Sequence, residues 1–203
     1  PLSLPDALPC FPPPPPPFTF DNNNECDSMT VNFPNTSTGT ISTYSWVFDN
    51  GNTFNGPNPP AQSYNAPGTY TVVLTVQSDR GCTDVFNQNI RVRETPSAGF
   101  TVSSVCLNQP ANFIDQSTAP LDPVTDYKWY FGDGDSSILQ DPSHLYSAFG
   151  TYTVTQIVDN GFCQDTTTLD VTVENEPTAA FFLDTNQGCS RLTVNFTNAS
   201  SAN

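Results

Sequence analysis

The sequence predicts an all-β protein built from tandem antiparallel β-sandwiches, and three observations carry that expectation. The chain repeats itself at a spacing of about 82 residues: Trp46 and Phe48-Asp49-Asn50-Gly51 recur as Trp129 and Phe131-Gly132-Asp133-Gly134, and Gly68-Thr69-Tyr70-Thr71-Val72 recurs as Gly150-Thr151-Tyr152-Thr153-Val154. Each repeat shows the period-2 alternation of half-buried strands and no helical period, as in Tyr70, Val72, Leu74 and Val76 against Thr71, Val73, Thr75 and Gln77. Between these runs lie clusters of turn residues such as Asn50-Gly51-Asn52 and Gly56-Pro57-Asn58-Pro59-Pro60. Short strands divided by such turns, in a unit of about 80 residues, favour two packed sheets.

Taken in order, residues 1–17 form a Pro-rich segment whose six-proline run Pro12–Pro17 reads as a polyproline spacer. It has no basic start and no uninterrupted apolar core, so it does not read as a signal peptide. Residues 18–94 form the first sandwich and 95–175 the second. Residues 176–203 open a third, incomplete repeat, because the pattern of Cys26 followed by Val31-Asn32-Phe33 recurs at Cys106 with Ala111-Asn112-Phe113 and again at Cys189 with Val194-Asn195-Phe196. The linkers around Pro96 and Pro177 are short, and each proline fixes a backbone angle. Such linkers suggest a semi-rigid string suited to a stalk.

Inside each sandwich, Trp46 and Trp129, with Tyr70 and Tyr152, are the expected structural core. Gln156 occupies the inward position that Leu74 holds in the first repeat, and a β-bulge turning it outward is expected. Cysteines fall one pair per repeat, Cys26 with Cys82 and Cys106 with Cys163, in a chain with no CxxC and one histidine. That usage reads as structural disulfides rather than zinc and places the chain in an oxidising, extracellular compartment. Each bridge is expected to pin the last hairpin of a sandwich to the start of its second strand. Cys10 and Cys189 have no partner in this scheme.

The run Tyr127-Lys128-Trp129-Tyr130-Phe131-Gly132-Asp133-Gly134, then Asp141-Pro142-Ser143-His144-Leu145-Tyr146, then Gly150-Thr151-Tyr152-Thr153-Val154, resembles the PKD (polycystic kidney disease) domain, whose signature reads W-x-F-G-D-G, P-x-H-x-Y, G-x-Y-x-V. The first repeat departs from it at Asp49-Asn50-Gly51 and at Ala61-Gln62-Ser63-Tyr64, where the histidine is missing. The resemblance implies an immunoglobulin-like sandwich. It differs from antibody domains, whose second cysteine follows a Tyr by two residues inside a strand; here Cys82 lies twelve residues past Tyr70. The two-cysteine type is similar to tandem domains of large Bacteroidota surface and secreted proteins.

Composition narrows the function. The formal charge is −15, with only five Lys and Arg against twenty Asp and Glu. So few cations cannot neutralise many phosphates, which excludes nucleic acid as a partner, and the chain has no run apolar enough for membrane insertion. The acidity is uneven: 95–175 carries one Lys against ten carboxylates, and 18–94 three Arg against seven. The run Asp133, Asp135, Ser137, near Asp122, Asp126 and Asp141, offers hard oxygens at alternate positions and is the candidate calcium site; no other cofactor is indicated. His144, beside Asp141, is read as a loop residue bonding the turn before Tyr146 rather than as half of a catalytic pair. Tyr130 and Phe149 are the candidate sugar-stacking aromatics. Ser28 and Thr166 sit in short O-glycosylation-like motifs, and Asn35, Asn195 and Asn198 in N-glycosylation sequons.

These readings point to a non-enzymatic extracellular or cell-surface segment of a bacterial filament, stalk or adhesin. Its expected partners are further copies or repeats of itself, surface glycans or other cells. The alternative is a carbohydrate- or protein-binding accessory module of a secreted hydrolase.

Overall fold

The computed structural model describes residues 18–20, 25–103, 105–184 and 193–201, and all regular structure among them is β. The Pro-rich segment, Cys10 and Cys189 lie outside the described residues. The chain divides into two compact units, one running to Thr95 and including Ala119–Pro123, the other holding Pro96–Thr118 and the residues from Val124 onward.

In the first unit, β1 (Met29–Val31), β2 (Ile41–Phe48), β3 (Asn52–Asn55), β4 (Gln62–Tyr64), β5 (Gly68–Ser78) and β6 (Thr83–Val92) form two sheets. One has the order β3-β2-β5-β6 and the other pairs β1 with β4. The Val-, Thr- and Tyr-rich composition of β5 suits a pleated surface buried on one side, and Val72, Leu74 and Val76 are indeed buried. Trp46 is fully buried, with ring centroids of Phe18, Phe33 and Phe48 at 5.2, 6.3 and 5.9 Å. Its indole N–H donates to the Gly56 carbonyl at 3.0 Å, so the ring enters the core with no polar atom unpaired.

The second unit repeats this plan with β7 (Phe100–Val102), β8 (Val105–Cys106), β9 (Ala111–Asp115), β10 (Asp126–Tyr130), β11 (Ser136–Ser137), β12 (Ser143–His144), β13 (Gly150–Asp159) and β14 (Gln164–Glu174). The sheets are β11-β10-β13-β14-β8 and β12-β9-β7. Trp129 is the counterpart of Trp46: it is fully buried, it packs against Phe100 and Phe113 at 5.0 and 5.7 Å, and its indole donates to Leu139 O at 2.8 Å. Burying each indole removes on the order of 200 Å² from water, worth about 5 kcal/mol. Tyr70 and Tyr152 are half-buried at the rim, Tyr70 tilted against buried Tyr64 at 4.6 Å and Tyr152 stacked on buried Tyr146 at 4.3 Å, each donating to a backbone carbonyl. A final hairpin of β15 (Phe181–Leu183) and β16 (Phe196–Asn198) has the register Phe181↔Asn198. Among the described residues, no helix is long and apolar enough to cross a membrane, which says nothing of β-barrels.

Two expectations are corrected. Gln156 is not turned out by a bulge: β10 and β13 pair without interruption, Trp129 stands opposite Gln156, and the side chain is fully buried. The amide is accommodated because its Nε2 donates to Asp115 Oδ1 at 2.7 Å.

The second correction concerns the cysteines. Cys26 lies beside Arg93, one residue past the end of β6, whereas Cys82 precedes the first residue of the same strand. At about 3.4 Å per residue the two are roughly 30 Å apart, far beyond the ~7 Å that a disulfide can span between Cα atoms. The second unit is built alike, with Cys106 paired to Glu174 at the end of β14 and Cys163 just before its start. Cys106 is a free, exposed thiol. Cys26, Cys82 and Cys163 are disulfide-bonded, but neither Cys26–Cys82 nor Cys106–Cys163 forms. The antiparallel β5–β6 and β13–β14 hairpins put the paired cysteines at opposite ends of the sheet.

Candidate functional site

Two carboxylates of the second unit, Asp133 and Asp135, meet His144 at the turn between β10 and β11. The Phe131 amide donates to Asp135 O at 3.1 Å and closes the turn. Gly132 adopts φ +86°, and a Cβ there would come within 2.8 Å of the Thr153 carbonyl, so glycine is required by both conformation and space. Asp133, at the apex, accepts the Asp135 amide on Oδ1 at 3.1 Å, and its Oδ2 lies 2.7 Å from His144 Nε2. The imidazole, carried on β12, stacks on Phe131 at 4.2 Å and meets Tyr146 edge-on at 4.6 Å. The Tyr146 hydroxyl donates to Phe131 O at 3.0 Å. One histidine thus ties the turn to the facing sheet.

Burial alone would raise the Asp133 carboxyl, but the His144 hydrogen bond, the Asp135 amide and the imidazole charge outweigh it and hold it below the usual carboxylate range. The Tyr146 hydroxyl is pushed up, chiefly by burial and then by the Asp133 charge. A second carboxylate, Asp115, accepts from Gln156 (2.7 Å), the Ser117 amide (3.1 Å) and Gln140 (3.2 Å). Burial would raise it, and these hydrogen bonds, led by Ser117, hold it low instead.

Asp133, Asp135 and His144 each bring a ligand atom within 4.8 Å of the others, an arrangement able to hold a cation. The sequence signal for the two aspartates was the D-x-D spacing. It named Ser137 as the third group, whose Oγ accepts the Leu139 amide at 3.2 Å. His144 joins the two aspartates through the pairing of β12 in the other sheet, a proximity that linear spacing does not contain. The resulting set mixes oxygen with imidazole nitrogen and is closer to what first-row transition ions take than to the all-oxygen shell of calcium. Asp141 accepts the Asp115 amide at 2.8 Å and Asp126 the Thr125 hydroxyl at 2.8 Å. Asp122, in the first unit, is held by Arg91 at 2.6 Å and Arg93 at 3.2 Å.

The first unit has amides where the second has charges. Asn52 Nδ2 donates to Gln62 Oε1 at 2.9 Å, and Gln62 Nε2 to Pro60 O at 2.9 Å. The same scaffold therefore closes the turn without an ion or a histidine. His144 is engaged by Asp133, Phe131 and Tyr146, and the Tyr146 hydroxyl is committed to the Phe131 carbonyl. Tyr130 and Phe149 are both exposed, with Lys128 Nζ 5.0 Å from the Tyr130 ring centroid. Ser28 and Thr166 are exposed, while Asn35 is half-buried and its Oδ1 accepts the Ser37 amide at 2.9 Å.

Comparison with known proteins agrees with this architecture. The profile of the PKD domain matches residues 12–94 and 93–173. The pre-pro-metalloprotease PrtV of Vibrio cholerae serotype O1 is 29% identical over 146 residues, 70% of this chain and 16% of the relative. The chain therefore spans about one sixth of the length of the curated relatives it matches. Among solved structures, the PKD1 domain of Vibrio anguillarum Epp shares 29% identity over 41% of this chain and 99% of its own, with a TM-score of 0.39. The PKD1 domain of Vibrio cholerae PrtV shares 28% over 39% and 96%, with a TM-score of 0.37. With both sandwiches matched end to end, the chain belongs to the PKD domain family and carries two copies in tandem.

Proposed function

We propose that the chain is a non-catalytic, extracellular structural and adhesive repeat segment of a bacterial surface filament, stalk or adhesin, of the disulfide-bearing kind found in large Bacteroidota surface proteins. The observation that carries this reading is the use made of the one histidine. His144 is held between Asp133, Phe131 and Tyr146 as a brace for a turn, and the first unit dispenses with it. Disulfide-bonded Cys26, Cys82 and Cys163 support an oxidising compartment. The preponderance of carboxylates over Lys and Arg supports solubility at a cell surface rather than adhesion to anionic polymers.

A second reading, an accessory module of a secreted hydrolase, is favoured by the relatives that are named as metalloproteases. Immunogold electron microscopy of producing cells, with fractionation of cells and medium, separates the two. Label on surface appendages supports the first reading. Antigen confined to the medium, in a polypeptide that hydrolyses protein or polysaccharide, supports the second and overturns the first.

A further inference from the structure

We propose that Cys106 is a covalent attachment site, forming a disulfide with the cysteine at the β-hairpin tip of another PKD repeat. Two cysteines occupy one structural station. Cys26 forms a parallel bridge with Arg93, and Cys106 pairs in parallel with Glu174, the terminal residue of β14. The backbone that follows each is held in the same way: the Asp27 amide donates to Arg93 O at 2.8 Å, and the Leu107 amide to Glu174 O at 2.8 Å. At this shared station Cys26 is disulfide-bonded, whereas Cys106 is free and exposed.

The other two described cysteines share a second station. Cys82 and Cys163 each close the tip of a long hairpin behind a glycine at φ +84° and +83°, and both are disulfide-bonded. The tip of its own repeat is out of reach for Cys106, since β14 separates the two by roughly 30 Å. A bond made at the Cys106 station therefore leaves the repeat. The chemistry that complements it is the other half of the pattern, a thiol on the hairpin tip of a second sandwich.

The step is a thiol–disulfide exchange whose oxidant is a disulfide of the dithiol-oxidase class found in oxidising compartments. The Cys106 thiolate attacks one oxidant sulfur and expels the other as a thiolate. The tip cysteine's thiolate then attacks Cys106 Sγ in the mixed disulfide and expels the second oxidant thiolate. Two cysteines are oxidised, one oxidant disulfide is reduced, and the two protons released by the cysteines are taken up by the expelled thiolates.

The inference takes only the oxidising compartment from the proposed function. Its test is disulfide mapping of the native protein, alkylated with N-ethylmaleimide in intact cells before extraction. Cleavage after Arg93 and Lys128 isolates Cys106 in a peptide with no other cysteine. The expected result is that peptide linked to one carrying a hairpin-tip cysteine of a different PKD repeat, with loss of the linked species in C106S. Non-reducing electrophoresis then tells a repeat in the same polypeptide from one in a second copy. Maleimide on Cys106 alone, or a link to Cys163, to a small thiol or to a protein without PKD repeats, overturns the inference and leaves the proposed function standing. Maleimide on Cys26, Cys82 and Cys163 as well overturns the oxidising compartment along with it.

Discussion

Two tyrosines at equivalent positions give a controlled measure of what the turn beneath them contributes. Tyr146 is buried and its hydroxyl donates to Phe131 O at 3.0 Å. Tyr64 is buried to the same degree, yet its hydroxyl has no hydrogen-bond partner. Replacing Tyr146 by Phe removes a made bond and leaves a buried carbonyl less satisfied, at a cost of about 1–2 kcal/mol. Replacing Tyr64 by Phe removes an oxygen whose desolvation is uncompensated, so it is neutral or stabilises by up to about 1 kcal/mol. For a domain of this size 1 kcal/mol corresponds to a Tm shift of roughly 4–8 °C. Differential scanning calorimetry of the whole chain follows both units, and each variant should move only the transition of its own unit. Tyr64→Phe lowering its transition as much as Tyr146→Phe lowers the other would refute the reasoning.

Further predictions concern the same turn. Gly132→Ala should cost about 2–4 kcal/mol, the left-handed conformation adding to a clash with the Thr153 backbone, while Gly134→Ala, at φ +108° with nothing within 4 Å of the added Cβ, should cost about 1–2 kcal/mol; equal urea midpoints for the two would contradict this. Asp115, Asp122 and Asp133 all have carboxyls held low in the folded chain. Their contribution is complete above the unfolded pKa of about 4 and is lost as pH falls through the lower folded values, so urea midpoints should drop on the acid side and Asp133→Asn should flatten that drop; an unchanged acid limb in all three Asn variants would count against it. His144→Gln, which installs the residue found at position 62, should destabilise the second unit by about 1–2 kcal/mol through loss of the Asp133 bond and the Phe131 stack, measured by the shift of its calorimetric transition. Chelator should leave both calorimetric transitions in place, because the His144–Asp133 contact closes the turn without an ion; a falling second transition would show that the turn depends on one.

Much of the fold was legible because strand periodicity and turn residues are local signals. The alternation of Val72, Leu74 and Val76 named a buried face, and Trp46 and Trp129 named the two cores. What escaped the sequence was set by register between distant strands. Gln156 was read as needing a bulge because the side chain that satisfies it, Asp115, lies 41 residues away on the other sheet. Spacing pointed to Asp133, Asp135 and Ser137, and the approach of His144 to the two aspartates came from the packing of β12. The cysteine pairs matched in number and order, but sequence order does not say which end of a hairpin faces which. The β5–β6 and β13–β14 ladders, each ten rungs long, decided that.

Cysteines at opposite ends of a sandwich cannot close their own repeat. Disulfide mapping of the non-reduced 203-residue chain, cleaved at Arg, Lys and Glu, tests it. The predicted result is no peptide joining Cys26 to Cys82 and none joining Cys106 to Cys163, with Cys26, Cys82 and Cys163 all protected from alkylation. Recovery of either intra-repeat pair would contradict the register of the long hairpins and the architecture built on it.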